Sequence, residues 1–181
     1  MRAIRAVEID GGLAEAHAML AQYRKQVDFG WTEVQREMAF ALELNPTSAI
    51  VRRRRAVTGL MPLGRLDEAT CELEFALELD PFGMHARMWL VVMLWLNREY
   101  DRAIEQGRLL IEIEPTHFAG HFVTGVVCRE AGLYEDAIPS LRRAAELSGG
   151  NLLVLGWLGL PLAESGDVPA ARALLRKMNL E

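Results

Sequence analysis

One short phrase recurs along this chain at nearly constant spacing. It reads Glu8-Ile9-Asp10-Gly11, Glu43-Leu44-Asn45-Pro46, Glu78-Leu79-Asp80-Pro81, Glu112-Ile113-Glu114-Pro115 and Glu146-Leu147-Ser148-Gly149. The last residues of these tetrads stand 35, 35, 34 and 34 positions apart. Such a period means one supersecondary unit stacked on copies of itself, each burying its apolar face against the next. The chain therefore reads as a solenoid.

Small residues recur in register with the tetrads. Ala21, Ala56, Val91, Gly125 and Gly159 form one column; Val34, Ala69, Ala103, Ala137 and Ala171 form a second. Ala6, Ala41, Ala76 and Ala144 form a third, interrupted by Leu110 and Met178. Small side chains at fixed points let helices approach closely, so each crossing resembles the last. Apolar runs between the columns have the spacing of a helix face, as in Leu66, Ala69, Leu73, Ala76 and Leu77. Gly64, Gly132 and Gly166 mark left-handed caps inside the pairs, and Pro46, Pro81 and Pro115 mark the turns between them. Thr47 or Ser48, and Thr116, are expected N-caps.

The map is all-α: a leading helix over 2–9, then pairs 13–26 with 31–44, 47–61 with 66–79, 82–96 with 100–113, 116–130 with 134–147, and 150–164 with 168–178. These are about eleven helices. The division is a leading half repeat 1–12 and repeats 13–48, 49–83, 84–117, 118–151 and 152–181, in one array over 1–181.

Composition narrows the function. With 51% hydrophobic and 25% charged residues the chain is neither disordered nor membrane-like. A net charge of −5 disfavours nucleic acid unless the bases are segregated. Cys71 and Cys128 lack metal-type spacing and read as buried small side chains in a reducing compartment. No signal-peptide pattern opens the chain, and the most apolar stretch, 88–96, is too short to span a membrane. A cytoplasmic protein is expected.

The unit resembles the tetratricopeptide repeat, a helix–turn–helix. Phe118–Asn151 carries the resemblance best, with Gly125, Gly132-Leu133-Tyr134-Glu135-Asp136-Ala137, Leu141 and Ala144; Gly64–Ala69 with Leu73, Ala76 and Pro81 follows closely. The resemblance implies a right-handed superhelix that binds protein or peptide. Departures are His17, Arg52, Arg87, His121 and Leu155 where an aromatic usually opens the first helix, Gly107 where a large apolar residue is expected, and Pro161 inside a helix. The Gly107 and Pro161 departures are expected to loosen packing and kink the helix. Leu13–His17, Gly30-Trp31, Ala39–Pro46 and Gly149–Asn151 with Leu155–Gly159 look like a narrower bacterial group, in which such arrays form the C-terminal part of larger regulators. Both ends read as uncapped, which makes homo-oligomerisation an alternative function.

Chemistry is sparse. His117 and His121 could share a helix face, but no third metal ligand is near in sequence. Arg52-Arg53-Arg54-Arg55 is the only basic run and supports a second alternative, nucleic-acid binding. Consecutive helical residues diverge, however, so some should be solvated and others should reach for Glu residues. No phosphate loop, nucleophile elbow or kinase motif is present in the sequence. The expectation is no enzyme, no cofactor and no metal.

In tetratricopeptide arrays the first helix of each pair lines the concave surface. Transferred by register, the partner groove comprises Arg53, Val57, His85, Met88, Val92, Trp95, Phe122, Val126 and Arg129. Its apolar middle suits a peptide or amphipathic helix. Arg53 and Arg129 would orient an acidic or C-terminal end of it.

Overall fold

The computed structural model describes residues 2–27 and 30–178. Residues 179–181, at the expected uncapped end, lie outside the described residues. Eleven α-helices and no strand occur among the described residues: α1 (Arg2–Ile9), α2 (Ala14–Val27), α3 (Trp31–Leu44), α4 (Ala49–Arg54), α5 (Leu66–Leu79), α6 (Met84–Leu96), α7 (Tyr100–Ile113), α8 (Phe118–Glu130), α9 (Tyr134–Leu147), α10 (Leu152–Glu164) and α11 (Val168–Lys177). Along the chain, α2 is followed by α3, α4 by α5, α6 by α7, α8 by α9 and α10 by α11 as successive helix pairs. Two compact units are distinguished, Met1–Met93 and Leu94–Glu181.

In the first unit Ala14, Ala18, Ala21, Val34, Met38, Ala41 and Val51 form a buried cluster between α2, α3 and α4. In the second, Val126, Leu141, Leu158, Leu162 and Ala171 form one cluster, and Ala144, Ala145, Val154 and Leu155 another. The small-residue columns supply much of this core. A Cβ on Gly125 would lie 2.7 Å from Leu141 Cγ and 3.1 Å from the Leu141 nitrogen, so only glycine admits α9 this close to α8. Gly107 does the same for α8: a Cβ there would collide with the Thr124 side chain. The expected loosening at Gly107 is therefore corrected, because the missing side chain is replaced by a closer helix contact.

The residues standing in for the usual aromatic share a role. His17 Nε2 donates to Gly11 O at 3.1 Å, Arg52 Nε to Pro46 O at 3.0 Å, Arg87 NH2 to Pro81 O at 2.8 Å and His121 Nε2 to Pro115 O at 3.0 Å. Each pins the carbonyl of the tetrad's last residue, six positions back. An interhelix turn leaves such carbonyls without a ladder partner, and a side-chain donor satisfies them. Leu155 cannot donate and is buried in the core.

Three local expectations are corrected. The helix expected over 47–61 is not uniform: α4 gives way to a π-type stretch over Arg55–Leu60 and a 3-10 turn over Met61–Leu63. Pro62 has no N–H to offer four residues back, so the regular ladder cannot run through it. Gln35 Nε2 from α3 donates to Gly59 O at 2.7 Å and satisfies one displaced carbonyl. The N-cap of α8 is His117, whose Nδ1 accepts from the Ala119 N–H, rather than Thr116; Ser48 caps α4 as expected. Cys128 is buried, but Cys71 is exposed. Pro161 is buried inside α10, which continues to Glu164.

Gly64, Gly132 and Gly166 take the left-handed conformation at φ 71°, 76° and 91°. In the third pair the same turn is made by Arg98 at φ 62°, with Arg98 N–H on Trp95 O and Glu99 N–H on Leu94 O.

Candidate partner-binding site

Helical geometry sorts the four-arginine run into two sets. Arg52 and Arg55 lie one turn apart and converge on Glu72 of α5, at 3.0 Å and 2.9 Å. Arg52 also lies over the Phe75 ring, 4.4 Å from its centroid. Arg53 and Arg54 face elsewhere. Arg54 donates to the Gln22 side-chain oxygen, a neutral acceptor. Arg53 lines a cleft of about 340 Å³ together with Ile50, Asp80, Phe82, Met84 and His85. Burial, and for Arg53 also the neighbouring Arg54 charge, lowers the proton affinity of both guanidiniums. Of the expected groove residues in this unit, Arg53 and His85 thus share one cleft, with His85 exposed and Val57, Met88 and Val92 half-buried.

In the second unit Trp157 is the centre. Trp95 meets it edge-on with ring centroids 6.5 Å apart, and Phe122 does so at 6.2 Å. All three rings are half-buried. Arg129 lies over the Trp157 ring at 5.9 Å and is held by Glu164 of α10 and by Glu130. The hydrogen bond to Glu164 raises the Arg129 proton affinity and holds the Glu164 carboxyl below its usual range. Arg129 is thus already occupied. Val126 is 4% exposed, buried in the core beneath this group, and has no area to give a partner.

Sequence reasoning missed Trp157 because α10 is apolar nearly all round, so its pattern has no phase to read. Glu72 and Glu164 were legible only as members of a glutamate-rich chain. His117 and His121 are engaged in an N-cap and a turn carbonyl. Among the described residues no group of His, Cys, Asp or Glu is placed to hold a metal ion, and no helix is long and apolar enough to cross a membrane.

A curated relative, anaphase-promoting complex subunit 3 of Dictyostelium discoideum, is 26% identical over 129 residues, which make up 70% of this chain; the chain spans about 13% of that relative's length. The crystal structure of PilW, described as a widely conserved type IV pilus biogenesis factor, superposes with a TM-score of 0.86 over 99% of this chain and 82% of PilW, at 15% identity. YrrB, described as a TPR protein with an unusual peptide-binding site, gives 0.69 over 98% of this chain and 90% of YrrB, at 17% identity. At these identities the structural likeness speaks for the fold alone. The sequence profile of the tetratricopeptide repeat matches residues 55–118 and 129–178, more than half of the chain. With its helix pairs, its glycine-turned caps and its small-residue columns, this chain belongs to the tetratricopeptide repeat family.

Proposed function

We propose that the chain is a non-enzymatic scaffold that takes up a peptide or an amphipathic helix on the faces of its first helices. We place it in the cytoplasm as part of a larger bacterial regulatory protein, on the strength of the narrower resemblance described above. One observation carries the binding reading. Trp95, Phe122 and Trp157 come from three successive first helices and meet edge-on, each partly open to solvent. Clustered, partly exposed aromatics beside an arginine are the usual make-up of a binding hot spot. Their neutral surroundings, with Arg129 paired to Glu164, suit apolar side chains. The peptide-binding site named for YrrB supports the same class of ligand.

The test is to replace Trp95 and Phe122 by Ala, separately, and to measure thermal stability and capture of peptides from an array of amphipathic sequences. Selective loss of binding by about 2 kcal/mol, with little change in melting, supports the reading. Unfolding in both variants without selective loss overturns it. A second reading, homotypic association, draws on Leu152 and Leu153, exposed at 61% and 65%. Concentration-dependent light scattering that is abolished by Leu153→Glu would favour it. The nucleic-acid reading is weakened by the engagement of Arg52 and Arg55 with Glu72.

A further inference from the structure

The first unit keeps two guanidiniums partly out of water without giving either a carboxylate. Arg54 has only the Gln22 amide oxygen, and its Nε is buried with no acceptor. Arg53 makes no ion pair among the described residues and lines the cleft walled by Ile50, Phe82 and Met84. Phe82 is 77% exposed and Ile50 48%, so an apolar ledge adjoins the cation. Two neighbouring, partly desolvated like charges are costly in the free protein. An anion supplied from outside relieves both the desolvation and the repulsion, and charge-assisted bonds to arginine are strong.

We propose that the face of α4 bearing Arg53 and Arg54 recognises side-chain carboxylates of an acidic amphipathic peptide, whose apolar residues rest on Ile50, Phe82 and Met84. This rests on the scaffold reading above and assigns the charge of the ligand. Adjacent helical residues diverge by about 100°, so the two guanidiniums cannot fork a single carboxylate. They take two carboxylates from different positions on the partner, which distinguishes the site from one built for a C-terminus. Nucleic acid fits less well. Only these two of the four arginines are unclaimed by a carboxylate, too few cations to follow a run of phosphates. Arg129, tied to Glu164 and Glu130, is not the acid-reading residue.

The experiment titrates the full chain into labelled peptides by fluorescence anisotropy. The probes are an amphipathic leucine–glutamate peptide and its leucine–glutamine counterpart, each with a free and an amidated C-terminus, and a single-stranded oligonucleotide of matching charge. Arg53→Gln and Arg54→Gln are compared with Arg143→Gln, which removes an exposed arginine paired to Glu146. The glutamate peptide should bind about tenfold tighter than the glutamine one, whether amidated or not. Each of the two α4 variants should lose about tenfold, Arg143→Gln nothing, and circular dichroism should show melting no lower than in the parent. If Arg53→Gln fails to fold, Arg54→Gln and Arg53→Lys carry the comparison. Equal binding of glutamate and glutamine peptides overturns acid recognition and leaves the scaffold reading standing. Dependence on a free C-terminus, or tighter binding of the oligonucleotide, overturns it as well. Binding of no peptide at all overturns both readings.

Discussion

His17 Nδ1 lies 2.7 Å from Glu37 Oε2, with both residues buried. The other ring nitrogen holds the Gly11 carbonyl, and Phe40 meets the imidazole edge-on with centroids 4.7 Å apart. Arg24 adds a more distant charge to the same carboxylate, at 3.7 Å. One side chain thus joins the α1–α2 turn, α2 and α3. Removing Glu37 leaves His17 Nδ1 buried without its partner, and removing His17 leaves the buried carboxylate only its longer pairs to Arg24 and Arg36. His17→Ala and Glu37→Ala should each cost about 3 kcal/mol, while His17→Leu with Glu37→Leu should cost less than the two single losses added. Urea unfolding of all four proteins measures this, and additive costs would contradict the pairing.

Two glycines should respond differently to the same substitution. Gly107→Ala meets a side chain, that of Thr124, so adding Thr124→Ala should recover much of the loss. Gly125→Ala meets backbone as well, with Ala137 O at 3.2 Å and Leu141 N at 3.1 Å, and no side-chain truncation can relieve that. Each single variant should lose about 1–3 kcal/mol by overpacking. Only the first should be rescued in a thermal melt.

Arg98 occupies the turn position that Gly64, Gly132 and Gly166 fill in three other pairs, at φ 62°. A side chain there is strained, and its hydrogen bonds come from the backbone. Arg98→Gly should therefore stabilise the protein by about 0.5–1 kcal/mol despite the added freedom of the unfolded chain. A lower melting temperature would show that the arginine side chain supplies more than its strain removes.

The two cysteines should separate cleanly under a thiol reagent. Cys71 is exposed and should react in the native state. Cys128 is buried, and burial first, then Asp136, pushes its thiol proton affinity up. It should react only on unfolding, at a rate that follows denaturant concentration. Peptide mapping after brief labelling checks the assignment.

The Arg129–Glu164 pair sets a direction for pH dependence. The Glu164 carboxyl is held below its ordinary 4.5 by the Arg129 hydrogen bond. The native state therefore binds fewer protons than the unfolded chain just below that value. The contribution is present above the ordinary carboxylate range and is lost as pH falls through the native value. Both groups are partly exposed, so the effect is small. Glu164→Gln should flatten the acid side of the stability profile by slightly lowering stability at neutral pH, and should leave the lowest pH unchanged; an unaltered acid slope would contradict it.

The period, the helix pairs and the core columns were legible in the sequence because stacking repeats must present the same small residue at the same crossing. Ala69, Ala103 and Ala137 could be placed in the core without coordinates for that reason, and all are buried. The departure from a plain helix after Arg54 was not legible, because the consequence of Pro62 depends on Gln35 arriving from α3 to take the Gly59 carbonyl. The histidines and arginines at the head of the first helices looked like lost aromatics. Only the folded turn, which brings a carbonyl six residues back within reach, shows them as donors. The arginine run was readable as four charges, not as two that are answered and two that are not. That distinction lies in where Glu72 stands on a neighbouring helix, and local sequence carries the phase of a helix but not the identity of what it packs against.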